Sequence, residues 1–127
     1  MFNAYKKLAY LLLILLPLQA AAFDNYECLG SDPEWRLSLL EKQFSFALKG
    51  AATVKMAAVN PTPAEDTSID RIMVYRTNMK DKNAVIIVQK QSCTDGSSQD
   101  VYLYEGLLVT PTKVFHGCCS KKLILTQ

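Results

Sequence analysis

Large apolar and polar side chains alternate in the stretch that follows residue 33. Residues 35–39 follow this pattern from Trp35 onwards, and residues 43–48 repeat it. Because successive side chains of a strand point to opposite faces, a period of two predicts strands that each bury one face. A helix through residues 37–40 is the alternative, and the alternation argues against it.

Further strands are predicted wherever short β-branched or apolar runs are bounded by turn residues. These runs cover residues 51–59, 69–77, 84–91, 101–104, 107–110, 113–119 and 123–125. Two prolines make residues 60–66 a loop, residues 78–83 form a loose hairpin turn, and residues 93–100 form a polar loop. Residues before Gly30 are expected to be a polar lead-in to the sheet.

This arrangement predicts an all-β domain. Seven to eight short strands without a convincing helix indicate a small antiparallel barrel or a strongly curved sheet. The chain has 127 residues and four cysteines, so two disulfides are expected to staple the domain.

The N-terminus has the outline of a secretory signal peptide. Lys6 and Lys7 precede an apolar run over residues 8–16, and Ala20 and Ala22 form a small-x-small cleavage pattern. We therefore expect residues 1–22 to be removed and residues 23–127 to form a single exported domain, periplasmic or secreted. An uncleaved anchor is the alternative, although the run is shorter than the about 20 residues of a span.

Removal of the signal makes the domain neutral. It takes two of the 14 basic residues and leaves 12 against 12 acidic residues. Without a basic cluster beyond Lys121 and Lys122, we expect no nucleic-acid partner. Membrane contact is expected only in transit, through the signal peptide.

The cysteines of an exported small domain normally form disulfides. If residues 113–119 are a strand, Cys118 and Cys119 point to opposite faces, so they are not expected to bond to each other. Two pairings with Cys28 and Cys93 then remain open. A metal or redox centre built from His116, Cys118 and Cys119 is the chemical alternative, but no C-x-x-C motif accompanies it.

The chain resembles a family of small bacterial envelope proteins whose activity is not established. Their pattern begins with Gly-x-Glu-Pro-Phe-Trp and continues with Cys-x-Asp-x-Met-Ser-Asp, Tyr-Pro-Tyr and a terminal Gly-Cys. The corresponding stretches here are residues 30–35, 93–99, 102–104 and 117–118, with departures at Glu34, Ser97, Gln99 and Leu103. The resemblance implies a Cys93–Cys118 disulfide, which leaves Cys28 with Cys119.

We expect a non-enzymatic, envelope-associated binding module without a cofactor, whose partner is an envelope protein, a host protein or a small ligand. The candidate binding residues are Trp35, Tyr102 and Tyr104, and core packing is the alternative role for Trp35. A lysozyme inhibitor is a second hypothesis, although the Ser-Gly-x-x-Tyr element of the C-type inhibitors is not found. His116 lacks the nucleophile context that catalysis would require.

Overall fold

The fold is one sheet of nine antiparallel strands. It is described by a computed structural model that covers residues 24–96 and 99–122. The strands, in chain order, are β1 (Tyr26–Ser31), β2 (Glu34–Leu39), β3 (Gln43–Leu48), β4 (Val54–Ala57), β5 (Thr62–Pro63), β6 (Ile72–Met79), β7 (Lys82–Thr94), β8 (Val101–Val109) and β9 (Val114–Lys121). Their order in the sheet is β4-β3-β2-β1-β9-β8-β7-β6-β5.

The sheet curls so strongly that its two ends approach each other. Strand β4 lies at one end of the order, yet the Thr77 hydroxyl on β6 donates a hydrogen bond of 2.8 Å to the Ala57 carbonyl on β4. Every strand except β5 directs buried side chains into the enclosed core. The sequence predicted an all-β, strongly curved fold that is cross-linked by two disulfides. The structure confirms this fold, with nine strands rather than seven to eight.

The segment before Gly30 is a strand, and its prediction as a polar lead-in is wrong. Strand β1 pairs with both β2 and β9 and buries Tyr26 and Cys28 completely. Tyr26, Cys28 and Gly30 face the core at a spacing of two, so the alternation begins earlier than the large apolar residues suggest.

Residues 101–104 and 107–110 belong to one strand, and their division into two is wrong. Strand β8 runs without interruption from Val101 to Val109. Its central Gly106 has low strand propensity, but it faces the core at a point where the sulfur atoms of Cys28 and Cys119 fill the space of a side chain.

The predicted loose turn over residues 78–83 is a tight turn of two residues. Strands β6 and β7 pair up to Met79 and Lys82, and Lys80 and Asp81 join them with φ angles of 50° and 63°. Two positive φ angles in succession give the local twist that a two-residue hairpin needs, which extends both strands into the polar segment.

The predicted signal peptide at residues 1–22 and the predicted strand at residues 123–125 lie outside the described residues. In residues 24–96 and 99–122, no helix has the length and apolar character needed to cross a membrane.

Candidate functional site

The inner disulfide joins β1 to β9 inside the core. Cys28 and Cys119 lie directly opposite each other in the register of the two strands, with Cα atoms 4.0 Å apart and both residues 0 % exposed. Because this bond links two neighbouring strands that are far apart in sequence, it fixes the middle of the sheet.

The outer disulfide joins Cys93 at the end of β7 to Cys118 on β9, with Cα atoms 5.5 Å apart. Cys118 is next to Cys119 in a strand and therefore points away from the core, yet it is only 1 % exposed because the end of β7 covers it. The opposite orientation of the two adjacent cysteines and both implied pairings are confirmed.

A bent hairpin, which we call the arm, carries Cys93 over the outer face of the sheet. It consists of residues 91–96 and 99–103, and it begins where the register of β7 with β8 shifts between Lys90 and Cys93. The Ser31 hydroxyl on β1 donates a hydrogen bond of 3.0 Å to the Asp95 carbonyl. The arm is therefore held against β9 by a covalent bond and against β1 by a hydrogen bond.

Trp35 lies beneath this region with 3 % of its surface exposed. Its indole ring packs on Gly30 and Gly117, where an added Cβ would overlap the ring at residue 30 and lie 2.7 Å from it at residue 117. Phe46 and Phe115 pack against the ring with centroids 6.1 Å away. The structure therefore places Trp35 in the core, and an edge of its ring lines two clefts at the outer surface.

The two candidate tyrosines, Tyr102 and Tyr104, lie on β8. Tyr104 is 4 % exposed and packs edge-to-face on Tyr26, with ring centroids 5.2 Å apart. Tyr102 is half-buried and pairs with Cys93 at the base of the arm. The structure does not bring Trp35, Tyr102 and Tyr104 together as one exposed aromatic surface.

Two adjoining clefts flank the contact between Ser31 and Asp95. The larger, of about 710 Å³, lies on the outer face of β1, β2 and β3. The smaller, of about 330 Å³, lies between the arm and β9. They share the residues Leu29, Gly30, Ser31, Trp35 and Asp95. The larger cleft also contacts Ala47 and Lys49, and the smaller contacts Val114 and His116.

Several charged side chains around the larger cleft form ion pairs. Glu27 contacts Arg36 at 3.2 Å and Lys122 at 3.4 Å, and Glu34 contacts Lys49 at 3.6 Å. Since these pairs are exposed on at least one side, each contributes little to stability. Their effect is to leave the rim of the larger cleft without a strong net charge.

His116 at the smaller cleft lies 3.3 Å from Glu105, measured between Nε2 and Oε1. All four cysteines are in disulfides, and the described residues contain no cluster of three or more His, Cys, Asp or Glu side chains suited to a metal. The proposed metal or redox centre at His116, Cys118 and Cys119 therefore has no assembled ligand set among the described residues.

The core below the arm contains tyrosines with perturbed acidity. Burial, followed by the proximity of Tyr104 and Asp24, raises the pKa of Tyr26 well above its ordinary value. Burial also raises the pKa of Tyr75. Both phenols therefore stay neutral in alkaline solution above about pH 10, where an exposed tyrosine ionises.

The sequence reasoning missed Ser31, Asp95 and Glu105 as residues of this region. Asp95 lies within the predicted polar loop of residues 93–100, and Glu105 lies in the gap between two predicted strands. The contact of Ser31 with Asp95 depends on the fold-back of the arm after Lys90, whereas Glu105 is placed beside His116 by the pairing of β8 with β9.

No family model, curated protein or solved structure matches the chain. The resemblance to envelope proteins therefore stays a prediction.

Proposed function

We propose that the chain is an exported, non-enzymatic binding module whose ligand binds in the two clefts beside the arm. The observation that carries this proposal is the fixed arm, which lies on the outer face of the sheet with a cleft on each side of its contact with Ser31. Ligand sites of small molecules typically have volumes of about 300–1,000 Å³, and both clefts fall in this range.

The disulfide between Cys93 and Cys118 supports a preformed site. It ties the arm to the sheet before any ligand arrives, so binding does not have to order the arm, and preorganisation of this kind favours affinity. Two disulfides are also typical of proteins in oxidising compartments outside the cytoplasm, in agreement with export.

The lining favours a ligand that is uncharged or carries balanced charges. Leu29, Ala47 and Leu48 supply apolar surface in the larger cleft, while Glu34 and Lys49 neutralise each other at its rim. Recognition would therefore depend on shape, apolar contact and hydrogen bonds to groups such as the Ser31 hydroxyl and the backbone near Asp95.

The proposal is tested by NMR titration of the isotope-labelled, disulfide-bonded protein with the low-molecular-mass fraction of a bacterial envelope extract. We expect shifts of the Trp35 indole N–H and of the amides of Ser31 and Asp95. Ala47→Trp should fill the larger cleft and abolish these shifts, whereas Ala57→Trp, on the exposed outer side of β4, should not.

Shifts that persist unchanged in Ala47→Trp would contradict the cleft as the binding site. A catalytic turnover that is lost in His116→Asn while the fold is intact would contradict the non-enzymatic part of the proposal.

A further inference from the structure

The outer face of the sheet differs sharply between its two halves. On β1 to β4 the outward positions are mainly polar and include Glu27, Arg36, Ser38, Ser45 and Lys55. On β6 to β9 many outward positions are aliphatic, and they include Val74, Val85, Ile87, Leu107, Val109 and Val114. Since both halves enclose the same core, the fold itself does not require this apolar outer surface.

These six residues, which we call the outer patch, are contiguous. The strand register places Val74, Ile87 and Leu107 in one row, and Val85, Val109 and Val114 in the next. Five of them are half-buried and Val114 is 63 % exposed. Their side chains therefore form one aliphatic surface that crosses four strands, rather than a scatter of single exposed residues.

The area of the outer patch matches a short helix of a partner protein rather than a whole subunit. Four strands spaced about 4.8 Å apart and two rows about 7 Å apart give an area on the order of 200–300 Å². A stable dimer buries about 800 Å² on each partner, so the outer patch is too small to hold a second copy of the chain by itself. A helix about 10 Å wide and about ten residues long would cover it.

The rim of the outer patch has a definite charge at one end. Arg76 adjoins Val85 in the register and Lys113 precedes Val114. At the same end of the sheet, Lys80 lies in the hairpin turn and Lys82 follows it. All four are exposed, and the ion pairs found in the described residues do not include them. Asp81 is the acidic residue within that turn. A partner with acidic groups facing this end would be complementary.

We propose that the outer patch binds an amphipathic helix of a partner protein, with an apolar stripe on the six aliphatic residues and acidic side chains facing Arg76 and Lys113. This surface lies on different strands from the larger cleft, so the inference goes beyond the proposed ligand binding. The outer patch meets the smaller cleft at Val114, so the chain would then combine a ligand site with an adjoining protein docking site on one sheet.

The test uses the purified, disulfide-bonded protein with labelled methyl groups and a synthetic helical peptide of about 14 residues, roughly four turns, that carries a Leu stripe flanked by Glu. We expect saturable shifts of the methyl groups of Ile87, Leu107 and Val109. Ile87→Lys should weaken binding at least tenfold, and Ser45→Lys at the matched outward position of β3 should not. Ala47→Trp in the larger cleft should also leave peptide binding unchanged.

A charge reversal keeps the test independent of folding, because Arg76 and Lys113 are exposed. Arg76→Glu with Lys113→Glu should weaken the Glu-flanked peptide at least fivefold and strengthen a Lys-flanked version, whereas Lys55→Glu on β4 should do neither. The proposal is overturned by equal binding of both peptides to the unchanged protein, or by no binding at millimolar peptide. Self-association or binding to anionic phosphatidylglycerol vesicles that disappears in Ile87→Lys would equally overturn it, in favour of a second copy or a lipid surface.

Discussion

Gly106 on β8 faces Cys119 on β9 so closely that a Cβ at residue 106 would overlap the Cys119 sulfur and would lie 3.1 Å from the sulfur of Cys28. The glycine and the inner disulfide therefore fill one volume of the core between them. The sheet can keep this disulfide on its inner face because β8 has no side chain there.

Replacement of Gly106 by alanine should destabilise the protein by about 1–3 kcal/mol, because the added methyl group overpacks the core against the disulfide. The measurement is urea unfolding followed by circular dichroism. In a Cys28→Ala/Cys119→Ala background the sulfur atoms are gone, so the same substitution should cost clearly less. An equal cost in both backgrounds would show that the disulfide does not impose the glycine.

The sequence predicted the features of this fold that depend on local alternation. The opposite faces of Cys118 and Cys119 follow from the pleat of a strand, and they hold in the structure because β9 is regular through both residues. The strand around Phe44 is predicted for the same reason, whereas the strand around Ile86 is predicted from its β-branched and apolar run.

The sequence did not predict the features that depend on pairing between strands far apart in the chain. Strand β1 looked polar because Tyr26 and Cys28 are separated by Glu27, and its burial depends on pairing with β9, more than 80 residues later. Asp95 reaches Ser31 only because the register shift after Lys90 bends the arm back over the sheet. A single sequence contains no measure of such a bend.

The two disulfides should contribute unequally to stability. The inner bond spans a sequence separation of 91 and the outer bond one of 25, so the closed-loop entropy lost from the unfolded chain is greater for the inner bond. Chain-entropy arguments give roughly 4–5 kcal/mol for Cys28–Cys119 and roughly 3–4 kcal/mol for Cys93–Cys118. Double alanine variants of each pair, compared by thermal unfolding, should show the lower midpoint for the inner pair. The reverse order would indicate that the arm stabilises the sheet beyond its loop entropy.

Removal of the buried hydroxyl groups of Tyr26 and Thr77 should have different effects on the stability of the protein. The Tyr26 hydroxyl is buried and has no hydrogen-bond partner among the described residues, whereas the Thr77 hydroxyl donates to Ala57. Tyr26→Phe should leave stability unchanged or raise it by about 1 kcal/mol, because a desolvated group without a partner is removed. Thr77→Val should lower stability by about 1–2 kcal/mol, because the Ala57 carbonyl loses its donor. The free energy of unfolding of the two variants is measured in urea. A marked loss of stability in Tyr26→Phe would reveal a hydrogen-bond partner for that hydroxyl.

Stability should decline in alkaline solution, and the two buried tyrosines give the reason. Burial is the main cause that raises the pKa of Tyr26 and of Tyr75 in the folded state, while unfolded tyrosine titrates near about 10. Above that pH the unfolded chain releases protons that the folded protein retains, so the free energy of unfolding falls as the pH rises and is unaffected by these groups below it. The midpoint of urea unfolding should therefore be steady between about pH 7 and 9 and should drop above about pH 10. Replacing both tyrosines by phenylalanine should reduce that drop, and a phenolate absorbance that develops fully near pH 10 in the still-folded protein would contradict the prediction.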